Sequence, residues 1–230
     1  MLRWQGRLAV DPHVRWAAEG RSVPWTKRDT AVAEGGLLRT WWLRLRGHLQ
    51  PRPFPYSDAA ILESPLRRAF ASPSRILGAF GLASGERVLE IGPGIGYYSL
   101  EAVARVGESG RLVCLDVQRE MLLETRRRLQ SAGRAAHFVQ ASAVALPFVP
   151  SSFDRVFLIT VLGEIPERSR ALGEIHRTLR AGGRLSVSEQ LPDPDFITLP
   201  TLRSELRAAR FAEESTKRHL AIAYSSTWSR

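Results

Sequence analysis

From about residue 85 the chain alternates short apolar runs with longer amphipathic stretches, the pattern expected of successive βαβ units and a parallel sheet. The apolar runs predict strands at 87–91, 111–116, 136–140, 154–160 and 183–189. Each is short and reads as mostly apolar, as strands covered on both faces should be. The intervening period predicts helices over 97–106, over 119–132 with Gly133 as its stop, and over 166–182, where Pro166 sits in a first turn and Gly182 ends the helix.

After Glu189 the rhythm changes. A helix is predicted over 201–210, followed by β-leaning stretches at 214–219 and 221–228. These are too close together for a helical crossover, so they predict an antiparallel hairpin at the sheet edge. Upstream, residues 1–50 show weak periodicity, and the alternating prolines of 51–56 read as a stiff linker or strap. Ser72-Pro73 resembles an N-cap with proline at the first helical position, opening a short helix to about Phe80. The expected organisation is a basic, Trp-rich extension over 1–50, a strap and short helix over 51–80 covering the site, and the main domain over 81–230.

Composition narrows the class. With 44% hydrophobic and 24% charged residues, the chain is neither disordered nor fibrous. The single cysteine, Cys114, allows no internal disulfide, and with no thiol cluster a structural metal is not expected. No window reaches the ~18 apolar residues of a membrane span, and a cytoplasmic protein is expected. The net charge of +10 is uneven: residues 1–80 hold 13 basic against 6 acidic residues and five of the six tryptophans. That segment could meet an anionic surface or partner.

The chemistry centres on Val88-Leu89-Glu90-Ile91-Gly92-Pro93-Gly94-Ile95-Gly96, an apolar strand running into a glycine-rich turn and then a helix. Glycines let the backbone turn sharply and approach a ligand, and the following helix N-terminus suits an anionic group such as a carboxylate. The spacing Gly92-x-Gly94-x-Gly96, preceded by an acid, departs from the usual dinucleotide pattern. A second apolar strand ends at Asp116, 20 residues after Gly96, the distance at which a βαβ unit brings an acid beside a ribose diol.

These residues resemble the class I S-adenosylmethionine-dependent methyltransferases. Ala141–Phe148, Ser152–Val156, Leu162–Pro166 and Leu179–Leu185 match further segments of that family in order, nearest to the ubiquinone/menaquinone-biosynthesis and arsenite methyltransferase types. The resemblance implies an α/β fold: a Rossmann-like, doubly wound, mostly parallel seven-stranded sheet with an antiparallel C-terminal edge hairpin and an N-terminal helical extension. It also implies S-adenosylmethionine as cofactor. Glu90, Gly92, Gly94 and Gly96 would then hold its methionine end, Asp116 its ribose, Val117 and Met121 the faces of its adenine, Ser142 and Ala143 the adenine edge, and Ile159 and Thr160 the floor beneath the sulfonium. Ser142 stands where the family usually has aspartate, which implies weaker adenine recognition.

The expected reaction is in-line methyl transfer to a small, apolar acceptor, with Glu164 and Glu189 as candidate catalytic residues because both follow strands whose ends face the crevice. Residues 37–56 could act as a lid or make peripheral membrane contact. Two alternatives are an RNA methyltransferase using the basic first segment and a non-catalytic docking protein. The segment after the fourth strand, Gly163-Glu164-Ile165-Pro166, lacks the signature of exocyclic base methylation, which argues against nucleic acid. The five histidines show no metal-ligand spacing and read as surface or packing residues, and Cys114 as a small buried hydrophobe.

Overall fold

Four apolar runs form the parallel centre of a seven-stranded sheet: β1 (Arg87–Ile91), β2 (Arg111–Asp116), β3 (His137–Gln140) and β4 (Phe153–Ile159). β5 (Leu179–Gln190) continues it, and β6 (Ala212–His219) and β7 (Ala223–Ser229) close it. The strand order is β3-β2-β1-β4-β5-β7-β6, with β7 antiparallel to both of its neighbours. The computed structural model describes residues 72–191, 193–219 and 222–230. The extension expected over 1–50, the strap over 51–71 and the lid over 37–56 lie outside the described residues.

Two layers of helix cover the sheet. On one face lie α1 (Pro73–Phe80), α2 (Ser99–Val106) and α3 (Arg119–Ser131), whose Ile76, Leu77, Phe80, Ala102, Val106, Leu122 and Leu129 pack on Val88, Leu112, Cys114 and Phe157. On the other lie α4 (Arg168–Thr178) and α5 (Leu199–Ala208), with Leu172, Ile175, Leu202 and Leu206 against Leu89, Val156, Leu158, Leu185 and Trp228. The alternation of side chains along the central strands thus feeds two separate apolar layers, which is why those strands read as mostly apolar.

The boundaries differ from the sequence expectation where long-range pairing intervenes. The helix expected to end at Gly182 stops at Thr178, because Leu179 pairs with Phe153 and starts β5 early, across an irregularity between Phe153 and Arg155. It also begins at Arg168 rather than at Pro166. The helix expected from 201 starts at Leu199, where the Thr198 hydroxyl accepts from the Thr201 amide. Ser72 does not cap α1 with its side chain and instead pairs with the Ser74 hydroxyl at 2.9 Å. Gly81, in the left-handed region, closes that helix.

One buried cation fixes α1 to the sheet. Arg155, 2% exposed, pairs with Glu86 through Nε and Nη2 at 3.0 and 3.1 Å and donates to the carbonyls of Phe80 and Gly81 at 2.7 and 3.1 Å. Its guanidinium therefore supplies the orphan carbonyls at the end of α1 with the partners they need.

Candidate active site

The strand order reverses between β1 and β4, and in open α/β sheets ligands bind outside the carboxyl ends of the strands at such a switch point. That edge carries Ile91, Asp116, Gln140, Ile159 and Gln190 at the ends of the five parallel strands.

At its centre is the turn from β1 to α2. Gly92, Gly94 and Gly96 all have left-handed φ values, of 72°, 57° and 80°. Protein packing adds a second demand at two of them: a Cβ on Gly92 would lie 2.4 Å from Val161 Cγ2, and one on Gly96 would lie 3.0 Å from Thr125 Cγ2. The glycines at the two ends of the turn thus admit neighbouring side chains, while half-buried Gly94 lies at the middle of the turn. Its carbonyl accepts from the Thr125 hydroxyl at 2.8 Å, which ties the turn to α3.

Glu90 is almost fully buried beneath this turn. It accepts from the Ser99 hydroxyl at 2.6 Å and from the Cys114 thiol at 3.6 Å, so Cys114 contributes a hydrogen bond as well as bulk. Burial pushes the Glu90 carboxyl up to about 7; the Ser99 and Cys114 donors pull it down, and the neighbouring Asp116 charge adds to the rise. Asp116 is 8% exposed and accepts from the Gln118 amide at 2.8 Å. Burial raises its carboxyl to about 6, while the amides of Gln118, Val117 and Gly94 favour the ionised form. The strand-end acid therefore faces the glycine turn.

The remaining predicted cofactor residues ring the same edge. Val117 is half-buried and its carbonyl accepts from the Gln140 side chain at 3.0 Å, while Met121 is buried on α3. Ser142 and Ala143 form the turn after β3, where the Ser142 hydroxyl takes a long 3.4 Å contact from the Val144 amide and Ala143 packs in the core. Ile159 is buried at the end of β4. Thr160, half-buried, holds a φ of 54° that is uncommon for a β-branched residue, fixed by its amide donating to the Ser188 carbonyl at 2.8 Å.

The two candidate catalytic carboxyls differ. Glu164 ends a single 3₁₀ turn (Leu162–Glu164) and is half-buried. Glu189 is 1% exposed, and among the described residues its Oε1 has no hydrogen-bond partner. Burial pushes the Glu189 carboxyl well above the usual carboxylate range, and the charges of Asp193, Glu164 and Asp195 push it the same way against the Ile197 amide. Burial therefore favours its protonated form, which suits a hydrogen-bond donor better than a base. The loop that buries it passes so close to Gly163 that a Cβ there would collide with the Asp195 carbonyl.

Two further contacts at this edge had no local signal in the sequence. Gln190 donates to the Tyr98 hydroxyl at 3.3 Å, and His219 is hydrogen-bonded to Ser225 at 2.9 Å. The first depends on how the start of α2 packs against the end of β5 and the second on register between β6 and β7, neither of which residue spacing reveals. Tyr98 itself is buried and Tyr97 is half-buried, stacked edge to face at 5.1 Å. His176 packs edge-on against Phe211 and stays away from this edge. A cavity of about 390 Å³ at the opposite edge, bordered by Arg111, Arg134 and His137, holds none of the predicted site residues. Among the described residues no group of three or more His, Cys, Asp or Glu could hold a metal ion, and no helix is long and apolar enough to cross a membrane.

This sheet order, with a glycine turn and a facing strand-end acid at its carboxyl edge, is the fold that the resemblance to class I S-adenosylmethionine-dependent methyltransferases implied. Residues 88–183, less than half of the chain, match the family described as methyltransferase domain. It is similar to the ubiquinone/menaquinone biosynthesis C-methyltransferase UbiE of Escherichia fergusonii, 35% identical over 111 residues that make up 47% of this chain and 44% of that protein. The same enzyme of Hahella chejuensis is 40% identical over 111 residues, 47% of this chain and 45% of that protein. The match thus spans less than half the length of these curated relatives. In fold, the chain resembles a SAM-dependent methyltransferase from Aquifex aeolicus, with a TM-score of 0.70 at 22% identity, over 76% of this chain and 98% of that one.

Proposed function

We propose that the protein transfers the methyl group of S-adenosylmethionine to a small, apolar acceptor of the quinol type, in the cytoplasm. The observation that carries this reading is the hydrogen bond from the Gly94 amide to Asp116, between the glycine turn after β1 and the end of β2, which sets a buried acid where a ribose diol would lie beside the turn. The relatives named as ubiquinone/menaquinone biosynthesis C-methyltransferases support the acceptor class. An unpaired, buried Cys114 accords with a reducing compartment.

The residues present fit the cofactor. Asp116 can accept both ribose hydroxyls, Glu90 and the turn amides can hold the amino and carboxylate ends of the methionine moiety, and Met121 and Val117 offer apolar faces for the adenine. Ser142 and Ala143 would meet the adenine edge, and Ile159 with Thr160 would form the floor under the reacting centre. Bound there, S-adenosylmethionine supplies an electrophilic methyl carbon on a positively charged sulfur. The protein's own contribution is orientation, since holding two reactants in line is worth on the order of 7–11 kcal/mol. Glu189, protonated, would donate its hydrogen bond to an oxygen of the acceptor, and Glu164 at the crevice mouth would orient the acceptor from the other side.

The test is titration calorimetry of the full chain with S-adenosylmethionine, followed by a mass-shift screen of phenols and hydroquinones. Wild type should bind the cofactor and gain the mass of one methyl on a hydroquinone acceptor. Absence of cofactor binding, or binding untouched by Asp116→Ala, would refute the assignment.

A further inference from the structure

On the face of the sheet shared with α1 and α2, the C-terminal half of β5 and its partner β7 place hydroxyls where the central strands carry aliphatic side chains. Ser186, Ser188, Ser225 and Thr227 are all buried there. Register puts His219 opposite Ala223 and Ala223 opposite Gln190, so His219 stands at the crevice edge on the same face as the Gln190–Tyr98 pair. Two strand spacings, about 10 Å, separate β5 from β6, roughly the span of a small substituted aromatic.

The direction of the hydrogen bonds along this row can be traced from its fixed end. The Tyr224 carbonyl can only accept, and it takes the single proton of the Ser188 hydroxyl at 2.9 Å. Ser188 must then accept from Ser225, at 3.3 Å. With its own proton so placed, Ser225 can only accept from His219 Nε2 at 2.9 Å. The imidazole is therefore the Nε2–H tautomer when neutral, and its Nδ1 presents a bare lone pair directed away from Ser225. Among the described residues Nδ1 has no partner. Burial lowers the His219 pKa, and the nearby Arg75 of α1 and Lys217 of β6 lower it further, which favours the neutral ring.

We propose that His219 is a specificity-determining residue whose Nδ1 accepts a hydrogen bond from an acidic hydroxyl of the acceptor, at the end of the crevice remote from the glycine turn. The lone pair requires a donor, and the positive charges of Arg75 and Lys217 repel an ammonium while favouring a hydroxyl with partial anionic character. A phenolic or hydroquinone hydroxyl meets both conditions. The inference rests on the reading of the protein as a methyltransferase of quinol-type acceptors and deepens it by naming the group on the acceptor that is read.

The first arm of the test is independent of activity. Nitrogen-15 NMR of the histidine side chains at pH 7.5 should show His219 with a protonated Nε2 and an unprotonated Nδ1; the opposite tautomer, or an imidazolium, overturns the proposal. The second arm measures binding of 2-methyl-1,4-naphthohydroquinone and of its dimethyl ether, anaerobically, to the full chain saturated with S-adenosylhomocysteine. Wild type should prefer the hydroquinone by about tenfold or more, as expected for one hydrogen bond to a buried partner. His219→Gln, whose amide still donates to Ser225, should shrink that preference to about threefold or less with S-adenosylhomocysteine affinity unchanged, and Ser225→Ala should shift the tautomer balance. Binding of the hydroquinone unaltered by His219→Gln overturns this inference alone. Failure of wild type to bind the hydroquinone overturns the acceptor reading and this inference with it.

Discussion

The hydroxyl of Ser99 donates to Glu90 Oε2 at 2.6 Å, joining the first residue of α2 to the strand on the other side of the glycine turn. It is the shortest polar link across that turn, and it favours the ionised carboxyl that burial disfavours. Ser99→Ala should push the Glu90 carboxyl further up and weaken S-adenosylmethionine binding at pH 7 by about threefold to tenfold. At pH 8.5, where the carboxyl is ionised in both proteins, the gap should narrow. Calorimetry at the two pH values decides it, and an equal gap at both would show that Ser99 acts by packing alone.

Asp116 and Glu90 bear on stability as well as on binding. Their folded pKa values, about 6 and about 7, lie above the ordinary 3.8 and 4.5, so the folded state binds more protons than the unfolded one. The stability they contribute is fully present below about pH 4 and is lost as pH rises through 6 and 7. Asp116→Asn removes one of these penalties and should raise the melting temperature of the ligand-free protein relative to wild type by an amount that grows from pH 5 to pH 8. The same variant should bind S-adenosylmethionine at least about tenfold more weakly, because a neutral amide accepts less strongly from the ribose hydroxyls. Melting curves that differ by the same amount at pH 5 and pH 8 would contradict the buried-carboxyl argument.

Gly92 answers to two constraints, and they can be separated. A left-handed φ costs an L-residue about 1–2 kcal/mol, and a Cβ at this position would also meet Val161 Cγ2 at 2.4 Å. Gly92→Ala should therefore destabilise by more than the backbone term. Pairing it with Val161→Ala should recover the collision and leave the backbone cost, a non-additivity that denaturant titration of the single and double variants would measure.

Arg155 should be the most costly of these substitutions. Arg155→Met would leave Glu86 and the carbonyls of Phe80 and Gly81 without their donor, and breaking a buried pair by removing one partner costs about 3–5 kcal/mol. Adding Glu86→Gln should return part of the loss. Urea unfolding measures both, and a loss below about 1 kcal/mol for Arg155→Met would mean that water replaces the guanidinium.

What the sequence determined by itself is whatever lies within one βαβ unit. The run from Val88 to Ser99 declares a strand, a turn and a helix, and Asp116 follows at the distance set by one helix and one strand, so the turn and its facing acid were legible from spacing. The seven-stranded sheet with its reversed edge could be read from the same local periods. Tertiary structure decided everything that depends on which residues meet across strands. Leu179 became strand because Phe153 offered it a partner; Glu189 has its carboxyl pushed upward because the chain around it buries it; and His219 has a defined tautomer because β7 brings Ser225 and Ser188 into line. The physical reason is that propensity and spacing act through a few covalent neighbours, whereas burial and hydrogen-bond direction are set by groups from distant parts of the chain.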